Sequence, residues 1–117
     1  MRVAPLYVLF FLFVSCSNKT DSKKPLLDKK QMSKVMWEMA QADVFVTQFV
    51  KYDSTKDITS ETIILQKEIF KLNNITKDQF YDSYNYYKMH PDLMKVILDS
   101  ITATSEKERL KSIIPIQ

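Results

Sequence analysis

No glycine occurs anywhere in the 117 residues, and that absence limits the folds open to the chain more than any motif in it. An average chain of this length carries about eight glycines. Glycine-rich phosphate loops and dinucleotide fingerprints are excluded, because both bring bare backbone close to a phosphate. Tight β-hairpins are disfavoured, since their turns call for positive φ at Gly or Asn. A helix needs such a residue only at its C-terminal end, where Asn serves. The single Cys leaves no intrachain disulfide framework and no Cys–Cys zinc site.

The N-terminus reads as an address. Arg2 is followed by an uncharged run from Val3 to Val14. As a helix that run would span about 18 Å, short of the ~30 Å hydrocarbon core of a bilayer. Its length suits the h-region of a cleavable signal. It leads directly into Phe13-Val14-Ser15-Cys16, which resembles the lipobox of bacterial lipoproteins, with Phe13 where Leu is usual. The resemblance implies cleavage after residue 15 and acylation of Cys16, whose thiol is the nucleophile toward a lipid donor. The expected divisions are a signal over 1–15, a lipidated Cys16 with a flexible polar tether to residue 24, and a helical domain over 25–117. Without residues 1–15 the chain holds 16 basic and 14 acidic side chains. That balance argues against nucleic acid as a partner. The expected partners are the membrane, through the lipid on Cys16, and a protein of the envelope. Surface-exported lipoproteins tend to carry acidic residues just after the Cys, and Ser17-Asn18-Lys19-Thr20-Asp21 does not match that pattern, which favours an outer-membrane site facing the periplasm.

Four amphipathic segments follow, each with boundary signals, so the expected fold class is all-α, a small bundle of four helices. Asp28 with Gln31 forms a capping box for helix 1 over about 29–50. Its apolar face is Met32, Val35, Met36, Met39, Val46, Phe49 and Val50, widened by Trp37, Ala40 and Val44. Residues 51–57 read as a loop. Thr59 or Ser60 caps helix 2, whose stripe is Leu65, Ile69 and Leu72. With no glycine available, Asn73 or Asn74 supplies the left-handed residue that ends it. Thr76 with Gln79 is a second capping box, and Ile75 with Phe80 a hydrophobic staple, opening helix 3. His90-Pro91 closes helix 3 and places Pro91 at the start of helix 4. Helix 4 carries Leu93, Ile97 and Ile101, joined by Met94 and Leu98; it either continues to Ile114 or yields to a short fifth helix near Ser105.

Two stretches of this pattern resemble a family of small Bacteroidota lipoproteins built on domain of unknown function 4296. The first is Met32-x-x-Val35-Met36-x-Glu38-Met39-x-x-Ala42-Asp43. The second is Ile75-Thr76-x-x-Gln79-Phe80-x-x-Ser83-x-x-Tyr86-Tyr87-x-x-His90-Pro91-x-Leu93. Asn73-Asn74 stands where the family commonly has a turn containing Gly. The resemblance implies a helical fold and an envelope location, and no reaction.

Few residues offer chemistry. Asp43 falls within the helix-1 stripe, where a carboxylate is either a functional group or a structural acid satisfied by a Tyr hydroxyl or a Lys. In the expected packing it faces the tyrosine-bearing helix 3. His90 is the one His, without the spacing of a metal or catalytic motif, and reads as a capping or packing residue at the helix 3–4 corner. Tyr81, Tyr84, Tyr86 and Tyr87 crowd together, with Tyr84 and Tyr87 expected to face the core with Phe80. No catalytic residue, metal or cofactor is expected. Two readings remain. One is a membrane-anchored, non-enzymatic interaction module. The other is a small-molecule binder or weak enzyme with a pocket near Asp43, His90 and the tyrosines, which convergence of those residues on one cavity would favour.

Overall fold

The computed structural model describes residues 24–114. The expected signal over 1–15, Cys16, residues 17–23 of the expected tether and residues 115–117 lie outside the described residues. The chain forms four helices, α1 (Lys29–Gln48), α2 (Ile58–Leu72), α3 (Lys77–Lys88) and α4 (Pro91–Ile113), with a 3-10 turn over Val50–Tyr52. No strand occurs among them. The fold is an all-α bundle. α1 is central and packs along both α2 and α4, while α3 packs on α4 and on α1.

The helix boundaries follow from local hydrogen bonding. Asp28 accepts the Gln31 amide at 2.7 Å, and the Gln31 side chain accepts the Asp28 amide at 3.1 Å, which completes the capping box. α2 starts two or three residues earlier than Thr59 or Ser60 would place it. Its cap is Asp57, whose carboxylate accepts both the Ser60 amide at 2.9 Å and the Ser60 hydroxyl at 2.7 Å. These two donors hold Asp57 below the usual carboxylate range. A carboxylate with two donors outcompetes a hydroxyl cap, so a residue read as loop became the cap. Asn74 ends α2 with φ 53°, the one positive φ among the described residues. α4 runs unbroken to Ile113, so the Thr102–Ser105 stretch does not start a fifth helix. There Thr102 and Thr104 turn their hydroxyls back onto the carbonyls of Leu98 and Ser100 at 3.0 Å, satisfying themselves within the helix.

The core gathers Leu27, Met32, Val35, Ile69, Phe70, Phe80, Tyr87 and Ile97. Ile75 packs against it beside Phe80's cluster, as the staple requires. The inward face of α1 runs through Met32, Val35, Met39, Ala42, Val46 and Val50. Phe49 does not belong to it and is 65% exposed. The helix ends at Gln48 and the chain passes into a 3-10 turn, which changes the angular step and buries Val50 instead. Trp37 is half-buried, and Ala40 and Val44 are exposed, so the expected widening of the face is an outer edge. In α2, Ile69 and Phe70 are buried while Leu72 lies 79% exposed. The inward face runs through Thr62, Leu65, Gln66, Ile69 and Phe70, so the expected stripe holds at Leu65 and Ile69 and fails at Leu72. Leu98 is likewise exposed on α4.

One network fixes the corner after α2. Asn73 donates its amide to Glu38 and, at 2.8 Å, to the Ile69 carbonyl. Lys34 then bridges Asn73 at 2.7 Å and Glu38 at 3.2 Å. α1 is thereby pinned to the turn from which α3 departs.

Candidate functional site

The residue that sets the geometry of the N-terminal end is Ser83, fully buried and polar. Before α1 begins, the segment 24–28, a non-helical entry strand that belongs to no β-sheet, lies along α3. Three side chains of α3, spaced by four, grip its backbone. Gln79 donates through Nε2 to the Pro25 carbonyl at 2.8 Å. Ser83 Oγ accepts the Leu27 amide at 2.9 Å. The Tyr87 hydroxyl donates to the Leu27 carbonyl at 2.7 Å. Leu27 itself is 1% exposed. The spacing of four places all three on one face of a helix. The Ser83 hydroxyl donates a hydrogen bond to the Gln79 carbonyl at 2.6 Å, so its oxygen lone pairs are free to accept. This clasp redirects a capping residue. Thr76 accepts the Gln79 amide at 3.1 Å, but the Gln79 side chain reaches Pro25 rather than returning to the cap. Half of the expected capping box is given up to hold the entry strand. Gln79 Oε1 is buried without a partner among the described residues.

Burial pushes the Tyr87 hydroxyl above its usual value, and Asp28 and Tyr86 add to the shift. The neutral phenol is the form the fold requires. Its contribution is therefore complete below the ordinary tyrosine pKa of about 10 and is lost as pH rises through the raised folded value. A spectrophotometric alkaline titration should show a late step above the ordinary tyrosine value, belonging to Tyr87. Tyr87→Phe should remove that late step and cost about 1–3 kcal/mol, because the Leu27 carbonyl is left buried and unpaired. A late step that survives the substitution would contradict the assignment.

A second feature lies on the neighbouring face of α3. Met36 and Met39 of α1 and Phe80, Tyr81 and Tyr84 of α3 line an open cleft of about 240 Å³. Its wall is apolar, and the rings are ordered against one another. Phe80 meets Tyr81 edge to face at 5.2 Å and stacks with Tyr84 at 6.3 Å. Tyr84 is 36% exposed at this cleft rather than in the core.

The other sequence candidates do not converge on this cleft. Asp43 is exposed, not in the buried stripe, because Ala42 holds the inward position between Met39 and Val46. Its carboxylate borders a different cleft, shared with Thr62 and Gln66 of α2, and does not face α3. His90 stacks on Tyr86 at 4.2 Å, and its Nδ1 lies 2.7 Å from the Tyr86 carbonyl. A carbonyl only accepts, so Nδ1 carries the proton there. His90 thus closes the end of α3. Among the described residues no group of His, Cys, Asp and Glu is placed to hold a metal ion.

Sequence reasoning missed the clasp. Its signal was present as Gln79, Ser83 and Tyr87 at intervals of four, but capping and packing accounted for the first and third residues. The sequence model of a family described as a domain of unknown function (DUF4296) matches residues 24–111. That span begins at the entry strand and contains both the clasp and the cleft. No curated protein and no solved structure matches the chain.

Proposed function

The chain belongs to the family described as a domain of unknown function (DUF4296), and on that footing we propose that it is a lipid-anchored, non-enzymatic interaction module facing the periplasm. The anchor in this reading is Cys16, supported by the uncharged run Val3 to Val14 and the Val14-Ser15-Cys16 junction. The observation that carries the interaction role is the α1–α3 cleft. Its volume of about 240 Å³ lies below the roughly 300–1,000 Å³ of small-molecule sites. It suits a single apolar side chain from a partner, with the Tyr81 and Tyr84 hydroxyls at the rim to orient it. Methionines in the wall adapt to the shape of what enters. The small-molecule reading called for Asp43, His90 and the tyrosines around one cavity, and they border separate places.

A photo-crosslinking residue in place of Tyr84, with one in place of exposed Lys107 on α4 as control, tests the role in intact cells. The expected result is one discrete adduct with an envelope protein from position 84 and none from position 107. Equal, diffuse labelling from both positions would contradict the proposal.

A further inference from the structure

The outer edge of α1 is apolar where solvent should favour charge. Trp37, Ala40, Gln41, Val44, Phe45 and Phe49 border a shallow hollow of about 390 Å³. Phe45 is 48% exposed and Phe49 65% exposed, and their rings pack together at 5.4 Å. None of the six is charged. Two exposed aromatics in contact on one helix face are not explained by the core, which lies on the opposite side.

We propose that this edge is a lipid-bilayer contact, a second point of attachment that lays α1 along the membrane. The proposal rests on the anchored reading of Cys16. Between Cys16 and Lys24 the tether has eight residue steps, which reach at most about 28 Å when fully extended. The clasp stops the tether from lengthening, because Leu27 is buried and both its backbone groups are held on α3. The domain therefore stays within one helix length of the lipid. α1, with its 20 residues, is about 30 Å long. Trp37 lies roughly 12 Å from its start and Phe49 roughly 30 Å, so a helix lying flat places the whole edge at headgroup level. Aromatic side chains concentrate at that depth.

Area decides between a bilayer and a second copy of the chain. The edge exposes on the order of 350 Å² of apolar surface, given aromatic side chains of about 150–250 Å² each. A stable protein interface needs about 800 Å² per partner. A bilayer contact on an already tethered domain needs far less, because the tether fixes a high local concentration of lipid surface.

Trp37 is the one Trp in the chain and reports on this edge directly. The full, processed protein is reconstituted into phosphatidylethanolamine vesicles with and without brominated acyl chains, and its N-terminal mass is recorded. We expect the Trp37 emission to shift to the blue on vesicles and to fall at least twofold with brominated lipid. Phe45→Ser combined with Phe49→Ser should abolish the quenching while the acylated protein still sediments with the vesicles. Both positions are exposed, so the fold should persist. Acylated, vesicle-bound protein whose Trp37 is not quenched overturns the membrane contact and leaves the anchor standing. A blue shift that instead grows with protein concentration without vesicles overturns it in favour of self-association. An unmodified Cys16 on protein that does not sediment overturns both readings.

Discussion

Leu27→Ala should cost about 2–5 kcal/mol of unfolding free energy, the range for truncating a buried leucine. Leu27 is 1% exposed, while the other side chains of the entry strand point outward, with Leu26 at 45%. One side chain therefore holds the strand from the apolar side, and Gln79, Ser83 and Tyr87 hold it from the polar side. The backbone bonds should survive the substitution only if the strand stays seated. A domain of this size has roughly 5–15 kcal/mol in total, so the loss is a large fraction. Urea unfolding of Leu27→Ala beside Leu26→Ala separates the two outcomes. The account expects a large fall in the midpoint for Leu27 and a change within about 0.5 kcal/mol for Leu26. Equal, small effects would show that the strand is not part of the cooperative unit.

The second large effect is at the α1–α4 contact. Ile97→Ala should also cost about 2–5 kcal/mol. Ile97 is 0% exposed and belongs to the cluster with Met32, Val35, Phe80 and Tyr87. It joins the two long helices and α3 at one point, so surrounding side chains cannot close the hole without moving a helix. The adjacent Leu98, at 48% exposure, is the control. Leu98→Ala should change stability by about 0.5 kcal/mol or less. Thermal or denaturant unfolding of both variants gives the comparison, and a Leu98 loss equal to that of Ile97 would place α4 in the wrong rotation.

How much of this was legible in the sequence depended on how local the deciding interaction was. Asp28–Gln31, Pro91 at the start of α4 and the left-handed Asn74 were legible, because each is settled within one turn of chain. Helix class followed from those boundaries, while a short fifth helix near Ser105 stayed open until α4 was seen to run unbroken to Ile113. Faces were less secure. The α1 stripe was displaced by one position at Asp43, since 39-to-43 and 39-to-42 are equally good helical spacings and the choice depends on where α2 lies. α2 kept its stripe at Leu65 and Ile69 but turned Leu72 outward, while Thr62 and Gln66 joined the inward face without an apolar signal. The clasp was invisible for a different reason. It joins residues 54 to 60 positions apart, and Gln79 had a sufficient local role as a capping partner. Only the packed structure shows that Gln79 reaches the entry strand. The cleft depends on how α1 and α3 meet, which no spacing encodes, so Tyr84 was assigned to the core rather than to a rim.

The central claim is that this helical domain hangs from the envelope by a lipid at Cys16 and meets its partner from there. Intact-mass and peptide mass spectrometry of the protein taken from membranes test it most directly. The account predicts a mature chain that begins at Cys16 and carries added acyl mass. A chain that retains residues 1–15, or one whose Cys16 bears a free thiol, would contradict it.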